Sequence, residues 1–241
     1  MKINKNLFGQ IISIPNIFIS WDEFKQDKRK KQDVQEFEFN LEQNLFDLCR
    51  ELKSKEYIHR PCSGFYIYDP KVRHVHKASV RDRVLHHAVF RILNPIFDQT
   101  FIANSFSCRV GKGTHKGVLA IEKMIRAESK NFTRSCFVLK CDVKKFFASI
   151  DHQILLSILR RKIKDEDTIW LLEKIIESFD TEQNGSFSRR GLPIGNLTSQ
   201  LFANIYMNEF DQFLKHGLRI KYYIRYADDF VILLEDKKYL E

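Results

Sequence analysis

Three aspartates, Asp142, Asp228 and Asp229, have the types and setting to do chemistry. Asp228 and Asp229 are adjacent in KYYIRYADDFVILL, Lys221 to Leu234, between flanks rich in aromatic and β-branched residues that suit strands. Neighbouring side chains of a strand point to opposite faces, so only a tight turn at Ala227-Asp228-Asp229 brings both acids near one point. Two carboxylates so close repel, and one tends to hold its proton unless a cation sits between them. A plain exposed acidic turn has the same composition, so the pair needs a third ligand. Asp142 ends the apolar run CFVLKC, Cys136 to Cys141, where an ionised acid is costly unless it lies at a sheet edge or holds a cation. If that strand lies beside the hairpin, the three acids converge. Such oxygen ligands suit magnesium, and a pair of magnesium ions can clamp the attacking and leaving oxygens of a phosphoryl transfer.

The composition agrees with a nucleic-acid partner. The chain has 241 residues, 40 Lys and Arg against 31 Asp and Glu, and a formal charge of +9, an excess that suits a polyanion. With 44% hydrophobic residues and 21 Phe it reads as packed and globular, in one or two domains. Five cysteines (Cys49, Cys62, Cys108, Cys136 and Cys141) form no Cys-x-x-Cys pair, so they read as reduced thiols of a cytoplasmic protein. No long uncharged apolar run marks a membrane span or signal peptide.

The elements that must position the aspartates follow from periodicity. Val34, Phe37, Leu41, Leu45, Leu48 and Leu52 step by three and four, predicting one amphipathic helix. Phe65–Asp69 and Val72–Lys77 read as two short strands joined by the turn Asp69-Pro70-Lys71. A helix from Val80 to Leu93 closes near Pro95, and glycines 111, 113 and 117 mark a loop entering a helix through Ile121 and Ile125. Asp151 caps a helix carrying Ile154, Leu155, Ile158 and Leu159, and the polar stretch from Asp180 to Arg190 is a loop or ragged hairpin. A last helix runs from Leu197 to Leu214. The order predicts an α+β fold, an antiparallel sheet backed by helices.

Three segments, VLKCDVKKFFASIDH, GLPIGNLTSQLFANIYMNEFDQF and YIRYADDFVIL, resemble in order the palm motifs of reverse transcriptases. The stretch from Lys71 to His115 resembles the fingers motifs of the bacterial and intron-encoded branch. The resemblance runs from about Asn16 to Leu234, nearly the whole chain. It implies a fingers-and-palm fold, with an N-terminal helical extension at 1–60, fingers at 61–135 and palm at 136–241. Family members continue into a helical thumb; this chain stops at Glu241, so the thumb is expected to be missing.

The resemblance also implies roles. Asp142, Asp228 and Asp229 would bind two magnesium ions, with manganese as a substitute. Phe147 would be the steric gate against a ribose 2′-hydroxyl, though it also reads as one core Phe among many. Lys71 and Arg73 would hold the incoming deoxynucleoside triphosphate, or else are solvated strand charges. Arg109, Lys112 and Tyr226 are candidates for contact with template or primer. Ile194 and Gly195 would lie beside the nascent pair. Most family members have Gln where Ile194 stands, and the Ile variant resembles the enzymes of diversity-generating retroelements, which err at template adenines. Ile194 removes an amide that could report pairing geometry, and Gly195 allows close backbone approach. Those members work with a small basic accessory protein and a template RNA. Retron-like, intron-type or defence-associated reverse transcriptases are the alternatives within the class, and an idle template-RNA-binding protein is the alternative outside it. His74 and His76 read as polar surface rather than as metal ligands, and His86-His87 as incidental.

Overall fold

The computed structural model describes residues 6–68, 71–180 and 189–239. In chain order the elements are α1 (Leu7–Ile11), α2 (Ile14–Lys25), α3 (Gln32–Phe39), α4 (Leu41–Ser54), β1 (Ser63–Ile67), β2 (Arg73–Lys77), α5 (Val80–Asp98) and α6 (Thr114–Glu128). Then come β3 (Phe137–Cys141), α7 (Phe146–Ser149), α8 (His152–Lys162), α9 (Glu166–Ile176), α10 (Leu197–Gln212), a π-turn at Phe213–Gly217, β4 (Tyr222–Tyr226) and β5 (Asp229–Leu234). The fold is α+β. Among the described residues there are two sheets, both antiparallel: β1 with β2, and a three-stranded sheet of order β3-β5-β4. No described helix is long and apolar enough to cross a membrane.

The chain divides into two compact units, each built from two segments. One comprises 1–96 and 147–202, the other 97–146 and 203–241.

In the first unit α2 packs on α4, α1 on α2 and α9, and α8 on α9. Ile17, Trp21, Leu45, Leu48, Leu52, Leu155, Leu159 and Leu172 supply its core. Several polar groups inside it are paired, as burial favours. The buried Asp82 carboxylate accepts from the Tyr57 hydroxyl at 2.8 Å, Ser79 Oγ at 2.6 Å and the Arg60 amide at 3.1 Å. Buried Asn16 donates to the carbonyls of Ile11 and Ala88, tying α2 to α5. The helix expected from Val34 onward is two helices, broken at Asn40 (φ −116°, ψ 43°). The Asn44 side chain donates to the Phe37 carbonyl at 2.9 Å across this break, the backbone competition that makes Asn a poor interior helix residue. The helix from Val80 continues through Pro95 to Asp98, because buried Leu93 and Phe97 hold the last turn in place of the missing amide. Asp151 caps α8 as expected, accepting from the Ile154 amide. Asp69 and Pro70 of the expected turn, and 181–188 of the polar stretch, lie outside the described residues.

In the second unit, β4 and β5 turn one face to Leu214 and Ile220, with Phe210 packing on Tyr223 and Phe230. Into this apolar face the chain places Arg225, 1% exposed, opposite Asp211, 0% exposed. The contact is bidentate, Nε to Oδ1 at 2.8 Å and Nη2 to Oδ2 at 2.7 Å. Asp211 also accepts from the Tyr223 hydroxyl at 2.6 Å, and Arg225 Nη1 reaches Asn204 Oδ1 at 3.1 Å. Burial and the carboxylate beside it push the Tyr223 phenol well above its ordinary range, so it stays a donor. At the free side of β4, the Asn104 carbonyl accepts the Arg225 amide at 3.0 Å and the Phe106 amide donates to the Arg225 carbonyl at 3.0 Å. Breaking such a pair leaves a buried charge alone, at roughly 3–5 kcal/mol. Asp211→Ala should therefore lower the melting temperature by roughly 10 °C in a thermal melt, on the scaling for chains of this size. An unchanged melt would show that the pair does not govern this unit's stability.

A carboxylate cluster at the end of the three-stranded sheet

Register places the aspartates. Tyr226 pairs with Asp229 between β4 and β5, which leaves Ala227 and Asp228 as a two-residue turn. The β3–β5 register ends with Cys141 opposite Phe230. One step further it sets Asp142 opposite Asp229, so Tyr226, Asp229 and Asp142 form a row across one end of the sheet. Alternation puts this row on the face opposite Tyr223, Arg225 and Phe230. Asp142, Asp228 and Asp229 each offer an oxygen, and these oxygens all lie within 4.8 Å of one another. Asp142 and Asp229 are exposed and Asp228 half-buried.

The turn is held from behind. Ala227 has φ +56°, a left-handed conformation that costs a residue with a Cβ about 1–2 kcal/mol. Arg225 Nη1 donates to the Ala227 carbonyl at 2.8 Å, so the guanidinium paired to Asp211 also fixes the residue before the two acids. Sequence reasoning missed Arg225, Asp211 and Asn204. A signal was present: Asn204, Asn208 and Asp211 recur at helical spacing, and Arg225 shares the inward face of a strand with Tyr223.

The cluster fits a divalent cation on its donor set. Two oxygens on one magnesium ion at about 2.1 Å each lie at most about 4.2 Å apart, so small rotations of these side chains close a site. Carboxylates facing water at a strand end also keep room for the waters magnesium retains.

Of the other candidates in this unit, Arg109 is already occupied. Its side chain is 7% exposed, with Nε on Asp98 Oδ1 at 2.6 Å and Nη1 on the carbonyls of Ile102 and Ser105. That is a loop-bracing role, and it leaves little of the guanidinium for a phosphate. Lys112 donates to the Ala103 carbonyl at 2.7 Å and lies 5.0 Å from the Phe106 ring. Tyr226 is 43% exposed, its hydroxyl 3.4 Å from Thr114 Oγ1 at the start of α6.

The first unit gathers the remaining candidates along one backbone-bonded string. The Leu192 amide donates to the Phe147 carbonyl at 2.7 Å, and the Gly191 amide to Ile150 at 2.9 Å. Two residues on, the Ile194 carbonyl accepts the His76 amide at 2.9 Å, joining this segment to β2. Gly195 follows with φ +113°, and a Cβ there would lie 2.7 Å from Val75 Cγ1. Only glycine suits that position. Phe147 and Ile194 are half-buried, while Gly195, Lys71 and Arg73 are exposed. Arg73 and Val75, two apart in β2, share the hairpin face that meets Gly195.

Comparison with known proteins adds to this geometry. The family model described as reverse transcriptase (RNA-dependent DNA polymerase) matches residues 68–241. Protein YkfC of Escherichia coli K12 is 26% identical over 223 residues, covering 78% of this chain and 58% of that protein. The group II intron-encoded protein LtrA of Lactococcus lactis subsp. cremoris is 27% identical over 178 residues, covering 72% of this chain and 28% of that protein. The chain thus spans less than two thirds of the length of either relative. A chain of a solved partial Cas6-RT-Cas1–Cas2 complex superposes with a TM-score of 0.58 at 23% identity, covering 97% of this chain and 39% of that one, a likeness of fold. With the family model matching most of its length, this chain belongs to the reverse transcriptase (RNA-dependent DNA polymerase) family.

Proposed function

We propose that the protein copies an RNA template into DNA, joining deoxynucleotides to a primer by metal-assisted nucleotidyl transfer. The observation that carries this reading is the trio Asp142, Asp228 and Asp229, whose oxygens lie within 4.8 Å of one another at a sheet end. The three carboxylates would hold divalent cations, magnesium by their hard oxygen character, with manganese able to replace it. Ions held by these carboxylates would supply Lewis-acid neutralisation of the phosphate charge and favour the ionised primer hydroxyl. The primer 3′-oxygen bonds to the α-phosphorus, the bond to the bridging oxygen breaks, and pyrophosphate leaves. Cationic Lys71 and Arg73 bind the triphosphate, the charge compensation that phosphoryl transfer requires. Phe147, fixed through its carbonyl to Leu192, closes the space of a 2′-hydroxyl. Gly195 leaves the backbone open to the nucleotide. Lys112 and Tyr226 line the path of template and primer. In domain terms, we assign residues 1–60 to a helical extension, 61–135 to the fingers and 136–241 to the palm.

A finer reading, an error-prone copier of the diversity-generating type working with a basic accessory protein, rests on Ile194 alone. The relatives include intron-encoded proteins and lend it no support. An intron-type or Cas-associated enzyme is the competing assignment, favoured by those names and by the likeness to the Cas6-RT-Cas1–Cas2 chain.

Primer extension on a defined RNA template with magnesium and four deoxynucleotides tests the reading. Asp228→Ala should lower the rate at least about 10³-fold, a loss of roughly 4 kcal/mol of transition-state stabilisation, with an unchanged circular dichroism spectrum. Retained extension would remove the turn from the metal site. Phe147→Ala should raise ribonucleotide incorporation by about 10²-fold, measured as the ratio of kcat/KM for ribo- and deoxynucleotides; an unmoved ratio would return Phe147 to the core. For the finer reading, Ile194→Gln should reduce misincorporation opposite template adenine, read by sequencing the products. Equal error spectra would leave the diversity-generating type without support.

A further inference from the structure

One step along the three-stranded sheet from the carboxylates lies a second row on the same face: Lys140, Val231 and Ile224, paired in register across β3, β5 and β4. Two members of this row are covered. α6 packs on β4 and β5, where Gly117 and Ile121 line an apolar cleft with Ile224 and Val231, and Ile224 is 7% exposed. Lys140 stands in the open. It belongs to the edge strand of the sheet and is exposed, as is Val138, two residues further along the same face.

This lysine has no acid of its own. Among the described residues Lys140 makes no hydrogen bond or ion pair. Two strand residues rise about 7 Å, which roots the side chain clear of Asp142 while its flexible four-carbon stem sweeps the surface beside the cluster. A cation that borders three carboxylates and pairs with none keeps its charge for a ligand that spans both.

We propose that Lys140 binds the primer strand, through the internucleotide phosphate just upstream of its 3′ end. The proposal rests on the polymerase reading above, which brings the primer 3′-oxygen to Asp142, Asp228 and Asp229. One strand of a duplex advances about 3.4 Å along its axis per nucleotide, so the last internucleotide phosphate falls within reach of a side chain rooted about 7 Å from Asp142. Held at that phosphate as well as at its 3′-oxygen, the primer end loses the freedom to swing away from the reacting phosphorus. An ammonium suits the task. It acts as a point charge with rotatable donors, so it can release one phosphate and take the next as the primer advances.

The test uses the whole chain, fluorescence anisotropy and an RNA template annealed to a labelled DNA primer, without nucleotide. Lys140→Met should raise Kd about 10-fold at low salt, the worth of one charge-assisted hydrogen bond, and reduce the slope of log K against log salt by about one. Lys140→Arg, which keeps the charge, should keep the slope. Lys221→Met, which removes a charge beyond the far end of β4, should change neither. A primer whose last internucleotide phosphate is a neutral methylphosphonate should weaken the wild type by the same factor and leave Lys140→Met no weaker. In steady-state extension Lys140→Met should raise KM for the primer–template about 10-fold and hold kcat within about twofold. Equal methylphosphonate penalties in wild type and variant would overturn the contact. Unchanged binding by Lys140→Met would overturn it too, leaving the lysine as a guard against pairing at the sheet edge. A fall in kcat at unchanged Kd would overturn it in favour of a charge effect on the carboxylates. If the wild type adds no nucleotide yet the variant and methylphosphonate penalties still coincide, the contact stands and the polymerase reading fails.

Discussion

Arg225 and Asp211 leave water together, and the second unit's placement of its carboxylates depends on their doing so. Taking both charges out of water is expensive, and the pair gains little over a well-packed apolar contact. Its value lies in uniqueness. Asp211 takes two donors from Arg225 and one from Tyr223; the remaining guanidinium nitrogen is divided between Asn204 and the Ala227 carbonyl. A one-residue slip of β4 would move Arg225 to the opposite face and strand the Asp211 charge. Only one register survives, and that register sets Asp229 beside Tyr226. The same guanidinium keeps Ala227 in a conformation it disfavours, so the turn is held by a buried network.

The first unit positions its residues by backbone. Phe147, Leu192, Ile194 and His76 are linked through amides and carbonyls, which do not depend on side-chain identity. Side chains along that string are free to vary in chemistry while their positions stay fixed. Gly195 is the exception, because its positive φ and the nearness of Val75 exclude a Cβ. This separates what Ile194 does from where it sits: replacing it changes the surface offered, and its carbonyl still receives the His76 amide.

What the sequence made legible follows the range of the forces involved. Strand alternation and a two-residue turn are local, so the convergence of Asp142 with Asp228 and Asp229 followed once β3 was set beside the hairpin. The family segments put Phe147, Ile194 and Gly195 in order along the chain. Arg109 shows the limit. Beside glycines and in a basic protein it reads as a phosphate ligand, but Asp98 and two loop carbonyls claim it, a contact no spacing rule announces. The break at Asn40 was hidden because the apolar step of three and four runs through it unbroken. Pro95 was overread in the other direction, since the packing of Leu93 and Phe97 outweighs one lost helix bond.

Exposed carboxylates contribute little to holding a fold together. A cluster of carboxylates is repelled from any interior it does not share with a cation, so Asp142 and Asp229 end their strands in solvent. Exposure makes them cheap to place and easy to move, so their precision has to come from somewhere else. It comes from the inward residue beside each in the strand: Cys141 and Phe230 are paired in register, and Phe230 is paired in turn with Arg225. The row of acids is thus one residue beyond a row anchored by a buried ion pair. The convergence of the three carboxylates is inherited from packing on the opposite face of the sheet.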